Sequence, residues 1–420
     1  MAERERLRSM MPEAKYLLVG SSHAALEALR AIRLVDPDGS MAMLTRDDRL
    51  PYSPTILPYV VSGRSAPDKV LLRDPAFFAA NNCAYVPNAR AVSLDAKARA
   101  VTLENGEVWR YQSLLIASGA APAIPPVKGL DGVTYHVLRS LADAEGLRGA
   151  MGAAKTAVVL GAGLVGLHAA ENMAEAGLKV TVVEMQGHVL PGYFDAKAST
   201  RIEDAFTTHG VELKLGRKVV EVAPGKVMVD DGTTIAADLL LVATGVRPVT
   251  DWLEGSGVLV DRGVVVDEAM RTNIDGVWAA GDVAQATDFA SGNKALIGII
   301  PTAVEQGKIA GQGMAGDSYR KDYAGGLPVN TYRFFGRVAL SIGRAAATDG
   351  VEAVETASGA YRRLVLEGNR LVGYASVDEP FDVGIMGELI RRRVDLSECK
   401  DAFLARPVET GRRLMSEQWR

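Results

Sequence analysis

The chain has 420 residues, 47 Lys and Arg against 51 Asp and Glu, a formal net charge of −4, 48% hydrophobic residues and 43 glycines. That length exceeds one core and calls for two or three domains, and the near-balanced charge leaves no basic footprint for nucleic acid. No apolar run reaches the ~20 residues that span a bilayer, and the charged stretch 1–9 has no apolar centre of the kind a secretion signal needs, so the expectation is a cytoplasmic protein with no membrane span and no nucleic-acid partner.

In chain order, residues 1–14 read as a loose arm. Tyr16-Leu17-Leu18-Val19 reads as a strand entering the turn Gly20-Ser21-Ser22-His23-Ala24-Ala25. A strand from Met41 to Leu44 ends on Thr45. Ala91 to Trp109 reads as a hairpin segment turning at Glu104-Asn105-Gly106, and Leu114-Leu115-Ile116-Ala117-Ser118-Gly119 as a strand end. Pro122 to Pro126 is a stiff, extended connector and a natural domain crossing. A second, cleaner copy of the pattern follows. Val158-Val159-Leu160 leads into Gly161-Ala162-Gly163-Leu164-Val165-Gly166, a helix to Ala176, and a strand from Lys179 to Val183 ending on Glu184. It closes with Leu240-Leu241-Val242-Ala243-Thr244-Gly245 and a crossing at Arg247-Pro248. A third signal, Thr272 to Asp282, is a short apolar strand ending on Gly281-Asp282. A loop then reaches Pro301-Thr302-Ala303 and a helix from Ala303 to Met314, with a proline near its first turn. From Ala324 to Arg420, strand-like runs (Val338 to Ile342, Arg362 to Leu366, Leu371 to Ala375) alternate with a helical one (Asp382 to Arg391), and no cofactor motif occurs.

The glycine turns let the backbone approach a pyrophosphate at a helix N-terminus. Glu184 can accept hydrogen bonds from a ribose diol; the other reading is an ordinary exposed strand-end acid. Two dinucleotide sites on one chain hold two cofactors against each other, which implies electron transfer. Cys83 and Cys399 stand alone, with no C-x-x-C or C-x4-C. The chain therefore forms no local redox disulfide and binds no iron–sulfur cluster by itself, and no metal site is expected. Two inert buried thiols are the simpler reading.

Together these pieces resemble the pyridine nucleotide–FAD oxidoreductase family with the glutathione-reductase-like fold, over Lys15 to about Arg406. The resemblance implies an α/β protein with two Rossmann-like dinucleotide-binding domains and a small C-terminal α+β domain. The FAD-binding domain, 15–126 and 246–323, would be split by an inserted NAD-binding domain, 127–245, with 324–420 as a C-terminal interface domain. For FAD it implies Gly20, Ser22 and Ala25 around the pyrophosphate and Val92 at the adenine through its backbone. Ser118 and Gly119 would pass close to the cofactor, and Gly281 and Asp282 would hold the ribityl chain. Thr302 and Ala303 would aim N–H groups at the flavin, where a helix start stabilises the anionic reduced ring. The family usually has glycine where Ser22 and Ala25 stand, and many relatives place a ribose-binding acid where Thr45 stands. His23 has two readings, pyrophosphate contact or packing at the helix start. For NAD(H), Gly161, Gly163, Leu164, Val165 and Gly166 form the turn, with Gly245 at the end of a neighbouring strand. Glu184 is followed by Met185 and Gln186, with no cation for a 2′-phosphate, so NAD(H) is expected over NADP(H).

Departures from the family narrow the chemistry. Leu50 to Tyr59 resembles the active loop of CoA-disulfide reductases and NADH oxidases, which carry a cysteine where Thr55 stands. Threonine forms neither a charge-transfer thiolate nor a sulfenic acid, so disulfide reduction is disfavoured and Thr55 reads as a packing residue. No His follows His209, which removes the C-terminal acid–base histidine of disulfide reductases. His168 stands where relatives usually have a glutamate. It is the one catalytic candidate, for nicotinamide positioning or proton relay, against a purely structural role. The C-terminal third resembles the nitrite-reductase and rubredoxin-reductase branch. A closer resemblance is to the FAD subunits of multi-subunit 2-oxoacid dehydrogenases of the phenylglyoxylate type. That implies electron transfer between NAD(H) and an iron–sulfur protein or subunit, within a hetero-oligomer. The alternatives are a stand-alone rubredoxin or ferredoxin reductase, an NADH oxidase or diaphorase, and a non-enzymatic NADH-sensing flavoprotein.

Overall fold

Runs such as Leu17-Leu18-Val19 and Met41-Ala42-Met43-Leu44 lack polar alternation, which suits strands covered on both faces. In the computed structural model of the chain they form the buried centre of a parallel sheet. The structure describes residues 11–358, 360–379 and 382–418, so residues 1–10 of the arm expected over 1–14 lie outside the described residues. Strand structure begins at Glu13. The described chain falls into two compact units. One holds 11–53, 68–121 and 246–326, and the other 54–67, 122–245 and 327–418.

The first unit is built on a seven-stranded sheet. Cys83–Val86, Met41–Leu44, Glu13–Val19 and the C-terminal half of Val108–Ile116 run in parallel, and Val277–Ala279 pairs on the same part of that last strand. Ala91–Asp95, Ala100–Leu103 and the start of Val108–Ile116 continue it as an antiparallel meander. The turn expected at 104–106 is present, with Gly106 at φ +84° and the Leu103 N–H donating to Glu107 O over 2.8 Å. Two helices lie against each other in this unit, His23–Val35 and Ile300–Met314. A Cβ at Gly307 would stand 2.2 Å from Ala24 O, and one at Gly311 2.5 Å from Ala28 O. The matched spacing means that the helices run in the same direction, with glycine on one and alanine on the other admitting the close approach. The second of them starts at Ile300 rather than Ala303, because Pro301 is tolerated in a first helical turn that needs no N–H from it.

The second unit has a four-stranded parallel sheet in the order Glu212–Leu215, Lys179–Glu184, Thr156–Leu160, Leu239–Val242. A separate small antiparallel sheet, 219–236, belongs to the same unit. The C-terminal part of this unit is a five-stranded antiparallel sheet, ordered Val329–Phe334, Arg337–Gly343, Arg370–Val377, Ala360–Glu367, Glu352–Ser358. Helices Val383–Arg391, Lys400–Ala405 and Pro407–Gln418 complete it. Asp382 caps the first of these by accepting from the Ile385 N–H. The C-terminal sheet is fastened to the parallel one. Glu171, on helix Leu164–Glu175, accepts from the Phe335 N–H over 2.6 Å, and Tyr361 donates its hydroxyl to Asp195 over 2.8 Å. Burial pushes the Glu171 carboxyl above its ordinary pKa, and the bond from Phe335 opposes that. Segment 54–67 joins the same unit, with Pro58 O accepting from Asn172 over 2.8 Å and Arg64 pairing with Glu175 over 2.8 Å.

Candidate functional site

In the first unit the strand Glu13–Val19 runs directly into Gly20 at φ +119°, a conformation that suits glycine. Its N–H donates to Leu44 O over 2.8 Å, and a Cβ there would lie 2.0 Å from Ala117 O. Ala117 N–H in turn donates to Val19 O. The turn is therefore pinned between two strand ends. Ser22 is the N-cap of His23–Val35 but makes no side-chain cap bond, and the first turn carries no acid. A helix start of this kind keeps unsatisfied N–H groups for an anion, and the fit to a diphosphate is good. Ala25, where relatives have glycine, is fully buried, so its methyl is accommodated inside the packing. Thr45 is buried, and its Oγ1 accepts from the Ser21 hydroxyl (3.1 Å) and the Asp47 N–H (3.2 Å).

The third signal comes back to the same place. Val277–Ala279 delivers Gly281 at φ +81°, whose N–H donates to Gln306 Oε1 over 2.9 Å. A Cβ at Gly281 would meet the Ala24 and Ala303 methyls at 3.2 and 3.9 Å, so Gly281, the first helix and Ala303 converge. Asp282 follows, packed by Gly298. Thr302 and Ala303 are buried in the first turn of Ile300–Met314, which also lacks a side-chain cap. Ser118 donates to Val249 O over 2.8 Å and Gly119 turns at φ +68°. Val92 lies at a register shift in the strand Ala91–Asp95 and is 42% exposed.

The second unit repeats the geometry. Gly161, at φ +101°, donates to Val183 O over 2.8 Å, and a Cβ on it would lie 2.5 Å from Ala243 O. Gly163 is the N-cap of Leu164–Glu175, again without a side-chain cap. A Cβ at Gly166 would sit 2.1 Å from Gly161 O, so only glycine closes this turn on its helix. Leu164 is half-buried and Val165 exposed. Glu184 is bound to the turn itself, with Oε2 accepting from the Ala162 N–H and Oε1 from the Gln186 N–H, both over 2.8 Å. Gly245, at φ +107°, accepts at its carbonyl from the Ala123 N–H over 3.0 Å. These residues fit a second dinucleotide.

One residue beside Glu184 is not visible in the linear motif. The backbone N–H of Arg217 donates to Glu184 O over 2.9 Å, so the loop after the neighbouring strand reaches the end of this one, while the Arg217 guanidinium lies 3.6 Å from Asp231. Pairing of Glu212–Leu215 with Lys179–Glu184 is what brings Arg217 there.

His168 lies one turn into Leu164–Glu175, with its ring edge-on to Tyr332 at 4.8 Å between centroids. Burial lowers its pKa, and backbone hydrogen bonds at Leu164 and Arg333 oppose that. The ring is thus committed to the strand Val329–Phe334. Thr55 is exposed in the turn Pro54–Ile56. Cys83 is buried and its thiol pKa is pushed up to about 12 by burial, while Cys399 is half-buried. Among the described residues, no helix is long and apolar enough to cross a membrane.

Comparison with known proteins places these motifs. Residues 14–307 match the model of a family described as pyridine nucleotide-disulphide oxidoreductase. The chain is 50% identical over 414 residues to the NADH-dependent phenylglyoxylate dehydrogenase subunit epsilon of Aromatoleum evansii, covering 97% of this chain and 98% of that one. It is 29% identical to the rubredoxin-NAD(+) reductase of Pseudomonas putida, covering 72% and 80% of the two chains. Among solved structures, the ferredoxin reductase of the CYP199A2 system from Rhodopseudomonas palustris is similar, with a TM-score of 0.79 at 25% identity, over 87% of this chain and 91% of that one.

Proposed function

We propose, for a chain that belongs to the pyridine nucleotide-disulphide oxidoreductase family, that it is the flavoprotein subunit of a 2-oxoacid dehydrogenase of the phenylglyoxylate type. The chain is an NAD(H)-dependent FAD oxidoreductase. FAD, when bound, supplies a ring that exchanges a hydride with nicotinamide and hands electrons on singly. The residues of this chain bind, orient and shield. The turns at Gly20 and Gly161 take the two diphosphates, Glu184 takes the adenosine ribose of NAD(H), and Thr302 and Ala303 meet the flavin.

The observation that carries this reading is the 50% identity with a subunit of such an enzyme, extending over nearly the whole of both chains. The thiol chemistry agrees with it. Thr55 stands where CoA-disulfide reductases and NADH oxidases carry a reactive cysteine, and Cys83 is buried with a raised pKa, so electrons leave to an outside centre. An iron–sulfur protein or subunit in a cytoplasmic hetero-oligomer completes the path. The test is isolation of the native complex. Co-purification with iron–sulfur subunits, and NAD reduction that depends on phenylglyoxylate and CoA, are expected. A chain that purifies alone and exchanges electrons with no iron–sulfur protein of its own cell extract would defeat the proposal.

A second reading has its own support in the likeness to rubredoxin and ferredoxin reductases. It predicts sustained NADH-driven reduction of rubredoxin or ferredoxin by the isolated chain.

A further inference from the structure

His23 opens the helix that follows the first glycine turn, and its ring is engaged on one side only. Nε2 lies 3.0 Å from Ser53 Oγ, whereas Nδ1 has no hydrogen-bond partner among the described residues. The ring is half-buried at a helix start that no side chain caps. Two charged groups face it from other segments, Asp282 after the strand Val277–Ala279 and Arg73 after Leu72. Asp282 favours the imidazolium and Arg73 opposes it. Burial outweighs both and holds the pKa below the ordinary histidine value. The positive end of the helix adds to the cost of a charge there. Without an anion, His23 is therefore neutral at physiological pH.

We propose that FAD binds this chain together with one proton, taken up from solvent by His23 as the diphosphate settles at the helix start. The inference rests on the reading of the first turn as the FAD site. Two phosphate charges beside the ring reverse the electrostatic balance, because a nearby anion favours the charged form of histidine. The imidazolium then keeps Ser53 on Nε2–H and offers its second N–H to the anion. No covalent bond forms or breaks, and the balance is one proton from water to Nδ1 or Nε2. His23 has a higher pKa in the FAD-bound state than in the empty one. FAD affinity thus rises as pH falls through the bound-state pKa and levels off below the empty-state pKa. Ser53 gives the ring a fixed orientation, and the loop 50–53 is held to the helix start by the same contact.

The experiment uses the full-length apoprotein titrated with FAD, followed by flavin fluorescence. Binding about 5–10-fold tighter at about pH 6 than at about pH 8 is expected for a histidine moved across its ordinary value near 6.5. Calorimetry in two buffers of different ionisation enthalpy should show net proton uptake at neutral pH. His23→Gln keeps a donor for Ser53 but cannot titrate, so its affinity should stay at or below the high-pH value of the unaltered protein, with the slope and the proton uptake gone. Flat affinity in the unaltered protein, or a slope and uptake that survive in His23→Gln, overturns the proposal. Should the variant not fold, the proton uptake of the unaltered protein decides. FAD that binds without a proton defeats this inference alone. No FAD binding at any pH defeats the reading of the turn as well.

Discussion

The two glycine turns perform one construction with different parts. In each, the first glycine donates to the end of the next strand, stands against the carbonyl of an alanine (Ala117 or Ala243) and precedes an uncapped helix. In each, the residue after that glycine is bonded to a side chain at a strand end. At the first turn the Ser21 hydroxyl meets neutral Thr45, and at the second the Ala162 N–H meets the carboxylate of Glu184. The turns differ again at the final position. Gly166 lies so close to Gly161 O that no side chain fits, whereas Ala25 places its methyl in the core. The lesson is that the close approach of the backbone is the rigid requirement, and that the strand-end group is free to vary with the nucleotide it meets.

That contrast can be broken most forcefully at the glycines. Gly20→Ala meets both a backbone carbonyl and a positive φ, so a loss of several kcal/mol or failure to retain flavin is expected. Gly161→Ala should retain FAD and lose NADH binding. Flavin-to-protein ratios and NADH titrations separate the two, and equal flavin loss in both variants would erase the distinction.

The next largest effect concerns the charged partner. Glu184→Ala removes the acceptor for Ala162 and Gln186 and the carboxylate that would repel a 2′-phosphate, so the preference for NADH over NADPH should fall about 10-fold or more. Single-turnover flavin reduction at low nucleotide concentration measures it, and an unchanged ratio would place the ribose elsewhere. Within the second unit alone, Glu171→Ala leaves the Phe335 N–H unpaired at a cost of about 1–3 kcal/mol. Glu171→Gln keeps an acceptor and removes a buried charge. The raised pKa of Glu171 means that its protonated form stabilises the fold at low pH, a contribution lost as pH rises through the folded-state value. Denaturant unfolding should therefore show Glu171→Gln gaining on the unaltered protein as pH increases through that range; a constant difference would refute the assignment.

The neutral partner should matter less. Thr45→Val loses the acceptor for the Ser21 hydroxyl and the Asp47 N–H, about 1 kcal/mol for each bond, and FAD affinity should weaken less than tenfold. Smallest of all is the thiol effect. Alkylation at about pH 8 should leave Cys83 unmodified in the folded chain, since its thiolate is scarce there, and NADH-to-dye activity should persist. Mass spectrometry of the treated protein reads this out.

Much of this was legible in the sequence because the turns are local. Gly20, Gly161 and Gly166 answer to contacts within one strand–turn–helix unit, and the apolar runs beside them encode strands buried on both faces. The return of Gly281 and Ala303 to the first helix was legible only through the family's order of motifs. Arg217 was not, since strand pairing rather than chain proximity brings it to Glu184. The packing of 327–418 with 122–245 escaped for the same reason. Bonds such as Phe335 to Glu171 leave no periodic trace in either partner's neighbourhood. The first and last strands of the C-terminal sheet, Val329–Phe334 and Glu352–Ser358, carry polar residues such as Asn330 and Glu355 that mask a strand pattern.

Gly307 and Gly311, seated on Ala24 and Ala28, set two helices side by side and pointing the same way, with the start at Ile300 leading the start at His23 by nearly two turns. Parallel macrodipoles side by side repel, and each of the two staggered starts keeps its own unsatisfied N–H groups. An anionic cofactor relieves that repulsion, so the ligand acts as a counterion built into the architecture. By mass action the folded population then follows cofactor supply. Cells starved of riboflavin should hold less of this polypeptide, with turnover by proteases falling first on the empty form.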